Sequence, residues 1–326
     1  NVSVDKLLEK EKYTFNNNHI MTARGNLFDR THKGLIPTIV EKFYDERSAV
    51  KKKMLRAQQK LVKVDKKDKH GVYQLEKEIA TYGNQQMAIK ILMNSLYGAL
   101  GNNFFRYFDH RVAEAITTSG QLSILWAQEA INKEMNTLLD TLNEDYVIAI
   151  DTDSLYVRMK PLVDKFKPNK PVDFLNKICA DHFETILSKA YATLAKKMNA
   201  YENRMEMARE VIADKAVWIA KKRYFMQVHD NEGVRYAEPK LKVMGVEAVK
   251  SSTPQICRDK FKLIFNIILN EGETATQNFI NQFKREFKAL QPEEVSFPRG
   301  ISDIDKWSDR NDIYKKACPI HVRGAL

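Results

Sequence analysis

The sequence predicts an α+β fold. Three observations predict it. Long stretches of helical period cover residues 38–64, 73–98 and 109–137. A tight hairpin of β-type residues occupies 145–159, with the sequence YVIAIDTDSLYVRM at its centre. A further run of short strand-like segments fills 204–247 and turns at Asp230-Asn231-Glu232-Gly233.

The remaining elements follow in order. Pro161 to Pro171 reads as a proline-punctuated loop, leading into a helix at 172–199. Two more helical stretches, near 253–270 and 274–290, precede an irregular tail that contains proline. At 326 residues and 44% hydrophobic, the chain is long enough to bury a sizeable core in two or three domains. Lys and Arg number 53 against 42 Asp and Glu, a net charge of +11, which favours a polyanionic partner, nucleic acid ahead of membrane. Cys179, Cys257 and Cys318 are odd in number and far apart, which argues against a disulfide framework and for a reducing compartment. No stretch reads as a signal peptide, and no apolar run reaches the length of a membrane span.

The first two helices carry a charge pattern. Between them lies VDKKDKHGV, with Gly71 as the expected breaker. Arg47 and Lys51 share a helix face, as do Lys90 and Asn94, and Tyr97 and Gly98 continue the second stripe. In an antiparallel hairpin turning at Gly71, Lys51 lies 20 residues before the tip and Lys90 19 after it. Both then sit roughly 30 Å from the tip, facing each other. Arg47, Lys51, Lys90 and Asn94 would converge at the hairpin base, a set suited to a polyphosphate. The alternative is four ordinary solvated helix residues. Residues 51–70 carry eight Lys and one Arg against two Asp, which reads as a solvated tip or as loose contact with a nucleic-acid backbone.

Asp151 and Asp153 pose the sharper question. In an extended strand they point to one face. Two hard carboxylate donors on a rigid edge suit Mg²⁺, which keeps several waters and is completed by substrate phosphates. A pair of such ions activates an attacking hydroxyl and stabilises a leaving oxygen. The alternative is a turn in which both aspartates cap backbone N–H groups.

KILMNSLYG (90–98), DTDSLYV (151–157) and KKRY (221–224), in this order, resemble three motifs of family B DNA polymerases, most of all those of T4-like bacteriophages. NSLYGALGNNFFRYFD (94–109), ITTSGQ (116–121), RYAEPKLKVMGVE (235–247) and CPIHVRG (318–324) extend the resemblance over most of the chain. It implies an antiparallel palm sheet with flanking helices, an antiparallel two-helix fingers domain and a partial helical thumb. The domains would be a segment leading into the palm at 1–33, fingers at 34–102, palm at 103–245 and the start of the thumb at 246–326.

The same resemblance assigns roles. Arg47, Lys51, Lys90 and Asn94 would grip the dNTP triphosphate, and Lys90 would serve the chemistry. Tyr97 and Gly98 would lie against the nascent base pair. Asp153 would be the principal ligand of two Mg²⁺ ions, Asp151 a secondary one, and Glu210 a further acidic residue near them. Lys221, Lys222, Arg223 and Tyr224 would follow the primer–template minor groove, and Lys250 would begin the thumb's duplex contacts. The reaction implied is attack of a primer 3′-OH on the dNTP α-phosphate, with release of pyrophosphate.

Two departures stand out. Where the family usually has an aromatic residue and a Gly before DTD, this chain has Ala149 and Ile150, which reads as local repacking. The family's first palm motif, D-x-x-S-L-Y-P, with its metal carboxylate, does not occur in these residues. Nor do the carboxylates of a 3′–5′ exonuclease. The expectation is therefore an N-terminal polymerase chain as partner, supplying that motif and an exonuclease domain. A sliding clamp would bind only through sequence not present here. No membrane is expected; the location implied is the cytoplasm of a phage-infected bacterium. The alternative is a DNA-binding fragment without catalysis.

Overall fold

The computed structural model describes residues 2–65, 67–297, 299–309 and 312–326. Asn1 and Lys66, which fall in the expected first segment and in the basic loop, lie outside the described residues. The chain divides into two compact units. The first comprises Asn1–Ile212 with His229–Glu238, the second Ala213–Val228 with Pro239–Leu326.

In the first unit, a short helix α1 (Val4–Leu8) starts at Ser3, whose side chain accepts from the Lys6 N–H. The hairpin of β1 (His19–Met21) and β2 (Leu27–Asp29) follows, antiparallel, with His19 opposite Asp29. Next come two long helices, α2 (Leu35–Lys63) and α3 (Lys69–Leu100), packed against each other. Gly71 is not the breaker. It lies in the first turn of α3, which begins at Lys69, six residues after the end of α2 at Lys63. Asp68 Oδ1 accepts from the Gly71 N–H at 2.9 Å. A Cβ on Gly71 would stand 2.3 Å from Asp68 Oδ2, so glycine is what lets the cap approach.

This shift changes the register between the helices. Met54 Sδ lies 3.8 Å from where a Cβ on Gly83 would stand. Lys51 lies 12 residues before the end of α2 and Lys90 21 residues after the start of α3, so the two are not equidistant from the turn.

Helix α4 (His110–Leu139) is the spine of the unit. It starts at Asp109, whose Oδ1 accepts from the Arg111 N–H at 2.8 Å, and ends at Asp140 in the left-handed region. Its buried residues, Leu122, Ile124, Ala127, Ile131 and Met135, recur at helical spacing. Leu122 joins one core cluster with Leu7, Met21, Ala23, Leu194 and Met198. Ala127, Ile131 and Met135 join another with Tyr146, Val147, Leu162, Phe183, Leu187 and Tyr191. The hairpin of β3 (Val147–Asp151) and β4 (Ser154–Val157) is mounted on that second cluster through Ile150, Leu155 and Val157.

The expected loop from Pro161 to Pro171 is largely helical. Helix α5 (Lys160–Phe166) carries Pro161 in its first turn, and α6 (Pro171–Ile178) begins on Pro171. Proline fits there because the first N–H groups of a helix have no intrahelical acceptor. The expected single helix at 172–199 is α6, a five-residue π segment Cys179–Phe183, and α7 (Glu184–Lys197). Trp126 Nε1 donates to the Ala190 carbonyl at 3.0 Å and docks α7 on α4.

The expected short strands are three long ones, β5 (Val211–Ala220), β6 (Arg223–Asn231) and β7 (Val234–Met244), adjacent in that order. The turn foreseen at residues 230–233 is present. Glu232 and Gly233, at φ 49° and 80°, are the paired left-handed residues of a type I′ hairpin turn.

In the second unit, α8 (Gln255–Asn270) and α9 (Glu273–Lys288) fall within two residues of the expected helices. Phe225 stacks on Phe265 at 4.3 Å between ring centroids. Val246, Ala248 and Leu269 complete this core. Among the described residues of the tail, short helical turns lie at Pro292–Val295, Ile304–Trp307 and Ile320–Arg323. All three cysteines are free thiols. Among the described residues no helix is long and apolar enough to cross a membrane.

Candidate active site

The acidic hairpin is held from below. Asn132 on α4 donates from Nδ2 to Asp145 Oδ1 at 2.8 Å, and its Oδ1 accepts from the Tyr146 N–H at 2.9 Å. Tyr146 is buried, with its hydroxyl 2.8 Å from Thr141 Oγ1 and the Arg158 guanidinium over its ring. Register then shifts between Val147 and Ala149, leaving Ile148 unpaired and exposed. Such a bulge bends and re-aims the strand. Beyond it Ala149 faces Tyr156, Ile150 faces Leu155 and Asp151 faces Ser154.

The tip is a strained turn. Thr152 has φ 59°, an outlier for a β-branched residue, and the Asp153 N–H donates to the Asp151 carbonyl at 2.7 Å. An i to i+2 bond about a residue of positive φ is the arrangement of a γ-turn. The chain is thus not extended through Thr152, and strand alternation does not set the direction of Asp153. The turn does so instead. Asp151, the last residue of β3, is half-buried and accepts from Thr152 Oγ1 at 3.2 Å. Asp153 is exposed and lies 3.4 Å from Ser154 Oγ. Two hard oxygen donors on a braced, strained tip fit the chemistry of Mg²⁺. Among the described residues no group of three or more His, Cys, Asp or Glu is placed to hold a metal.

On the helix pair, Lys90 and Asn94 are exposed, as are Tyr97 and Gly98. Arg47 is half-buried, with Nε out of solvent and without a hydrogen-bond partner. Lys51 forms an ion pair with Glu232 in the β6–β7 turn.

Glu210 is exposed just before β5, and its carbonyl accepts from the Glu232 N–H at 2.6 Å. Beside it lies a network the sequence reading missed. Asp230, 2% exposed, pairs with Arg209 and accepts from Arg235 Nε at 3.0 Å and from the Gly233 N–H at 3.0 Å. Arg209 also reaches Asn176, and Arg235 reaches Asp173 at 2.7 Å. Burial pushes the Asp230 carboxyl up, but the two guanidiniums outweigh it and hold it below the usual carboxylate range. Its contribution to stability is therefore present above the ordinary Asp value and is lost as pH falls through the lowered one. In the sequence, Asp230 reads only as a turn residue; its burial is a tertiary fact. Asp230→Ala leaves Arg209 uncompensated and is expected to cost about 3–5 kcal/mol, read as a lower urea midpoint at unchanged slope.

In the second unit, Lys221 and Lys222 are exposed in the β5–β6 turn. Arg223 pairs with Glu247, which also lies 3.4 Å from Lys250. Tyr224 is only 4% exposed and tilts against Trp218 at 6.0 Å. Of KKRY, the two lysines are thus the surface residues and the tyrosine is part of the packing beneath them.

The braced acidic hairpin and the cation-bearing helix pair are the candidate site elements, and the whole-chain comparisons carry the classification. The model of DNA polymerase family B matches residues 2–305. The chain belongs to that family. It is 33% identical over 354 aligned positions to the DNA-directed DNA polymerase of Enterobacteria phage T4, an alignment covering 94% of this chain and 39% of that protein. It is 37% identical over 255 positions to the DNA-directed DNA polymerase of Escherichia phage RB69, covering 74% and 28%. Identity to the DNA polymerase beta of an African swine fever virus isolate is 25% over 239 positions. The chain therefore spans about two fifths or less of the length of these relatives.

Proposed function

We propose that this chain is the part of a DNA-directed DNA polymerase that binds the incoming dNTP and supplies some of the metal carboxylates. It transfers a nucleotide to a primer 3′-OH once a polypeptide carrying the first palm motif completes the site. The observation that carries the reading is the Asp151–Asp153 pair on a strained, braced tip, in a chain that family B covers almost throughout. Residues 34–102 act as fingers, 103–245 as palm and 246–326 as the beginning of a thumb.

Asp153, exposed at the tip, and Asp151 behind it hold the metal side of the site, with Glu210 nearby. These carboxylates would hold two Mg²⁺ ions, which would supply activation of the primer hydroxyl and charge neutralisation for the departing pyrophosphate. Arg47, Lys51, Lys90 and Asn94 receive the triphosphate. Tyr97 and Gly98 border the base pair; a Cβ on Gly98 would meet no atom within 4 Å, so the surface there is open. Lys221, Lys222, Arg223 and Lys250 contact the duplex, with Tyr224 supporting the turn.

The test uses the purified chain, primer–template and dNTPs. Primer–template should bind, measured by fluorescence anisotropy, with affinity falling steeply between low and moderate salt as counterions are released. Templated extension should be absent with the chain alone and appear when a polypeptide containing D-x-x-S-L-Y-P is added. Robust extension by the chain alone would overturn the need for that segment. DNA binding with no extension under any complementation would favour a DNA-binding fragment without catalysis.

A further inference from the structure

We infer that Glu232 is a displaceable stand-in for nucleotide phosphates: it holds Lys51 in the ion pair, and a nucleoside triphosphate binds by taking Lys51 from it. This rests on the reading of Lys51 as a triphosphate ligand.

The anchor is rigid. Glu232 donates its main-chain N–H to Glu210, and the turn around it is fixed by Asp230, whose Oδ1 accepts from the Gly233 N–H. Asp230 is itself clamped by Arg209 and Arg235. The helix side is fastened at a second point, because Gln59 Nε2 donates to the Gly233 carbonyl at 3.3 Å. Lys51 and Gln59 lie about two turns apart on α2, so the turn meets the helix along a stretch rather than at a chance contact. The ion pair is shielded, with side chains 31% and 23% exposed. Glu232 also sits at φ 49°, where Asn, Asp or Gly is the usual occupant. A glutamate there carries a backbone cost that a mere turn does not require.

The chemistry follows from charge. Carboxylate and phosphate oxygens offer an ammonium the same kind of acceptor. A triphosphate brought to Lys51 meets the Glu232 carboxylate, and like charges repel. Since the Glu232 backbone is fixed, the lysine must move to the phosphates. Ligands of low charge compete poorly for it, so the pair acts as a threshold that favours triphosphates. Nucleotide affinity is lowered by the fraction of molecules in which Lys51 is held.

The probe is mant-dATP with Mg²⁺, titrated by fluorescence into the full chain as wild type, Glu232→Gln, Lys51→Ala and the double variant. Glu232→Gln should tighten binding about three- to tenfold, the ratio expected if Lys51 is held in most molecules. Lys51→Ala should weaken binding, and adding Glu232→Gln to it should change nothing further. Unchanged or weaker binding by Glu232→Gln overturns the inference. So does equal tightening in the Lys51→Ala background, which would reflect charge removal alone. Hydrogen exchange supplies a readout independent of nucleotide: amides of α2 around Lys51 to Gln59 should exchange faster in Glu232→Gln, and unchanged protection overturns the pairing. If no variant binds mant-dATP, the triphosphate reading has failed and the stand-in role falls with it. If the nucleotide binds equally to wild type and Glu232→Gln, the site survives and this inference alone fails.

Discussion

Asp153→Asn, in the chain complemented by the missing palm motif, should nearly abolish primer extension with Mg²⁺ while leaving primer–template affinity within about twofold of wild type. The substitution keeps size and shape but removes the charge proposed to hold a divalent ion. Asp153 is exposed at the hairpin tip and carries none of the core. The fold beneath it rests on Tyr146, Val147, Ile131 and Met135, so loss of activity would not report loss of structure. Single-turnover incorporation and a DNA titration on the same preparation separate the two effects. Near-normal extension would leave Asp151 and Asp153 as turn residues without a metal role.

Lys90→Ala should lower the incorporation rate by about 10²- to 10³-fold, the usual loss when one preorganised electrostatic donor is removed from a transition state that gathers negative charge. Lys90 is exposed on α3, so its removal opens no cavity. Lys222→Ala is the contrast. Lys222 lies in the β5–β6 turn, and its loss should weaken primer–template binding and flatten its salt dependence, with little change in the rate from the bound state. Unchanged incorporation by Lys90→Ala at subsaturating dNTP would make Lys90 an ordinary solvated lysine. The triphosphate reading would then rest on Arg47, Lys51 and Asn94.

The sequence by itself determined most of the element order. The periodicity of residues 38–64, 73–98 and 109–137 corresponds to α2, α3 and α4 within a few residues, because long amphipathic helices declare their period locally. The two hairpin turns, at Asp151 to Ser154 and Asp230 to Gly233, were legible for the same reason: their signals lie within four residues. Proline misled between 161 and 171, since it marks a loop and a helix start equally well. Gly71 misled in a similar way. As glycine it reads as a breaker, and only the approach of Asp68 shows why it is there.

Tertiary structure alone decided the rest. The distances of Lys51 and Lys90 from the turn depend on where α2 ends and α3 begins, which no count from a single glycine could give. The γ-turn at Thr152 sets Asp153 apart from the strand alternation that the residues suggest. Tyr224, which the resemblance places with Lys221, Lys222 and Arg223 along the minor groove, is buried against Trp218. The association of Asp230 with Arg209, Asn176 and Arg235, and of Glu232 with Lys51, joins residues from 5 to 181 positions apart. Local sequence carries the propensities of the backbone. It does not carry the partner of a charge, because that partner is chosen by which faces pack together and which solvent they exclude.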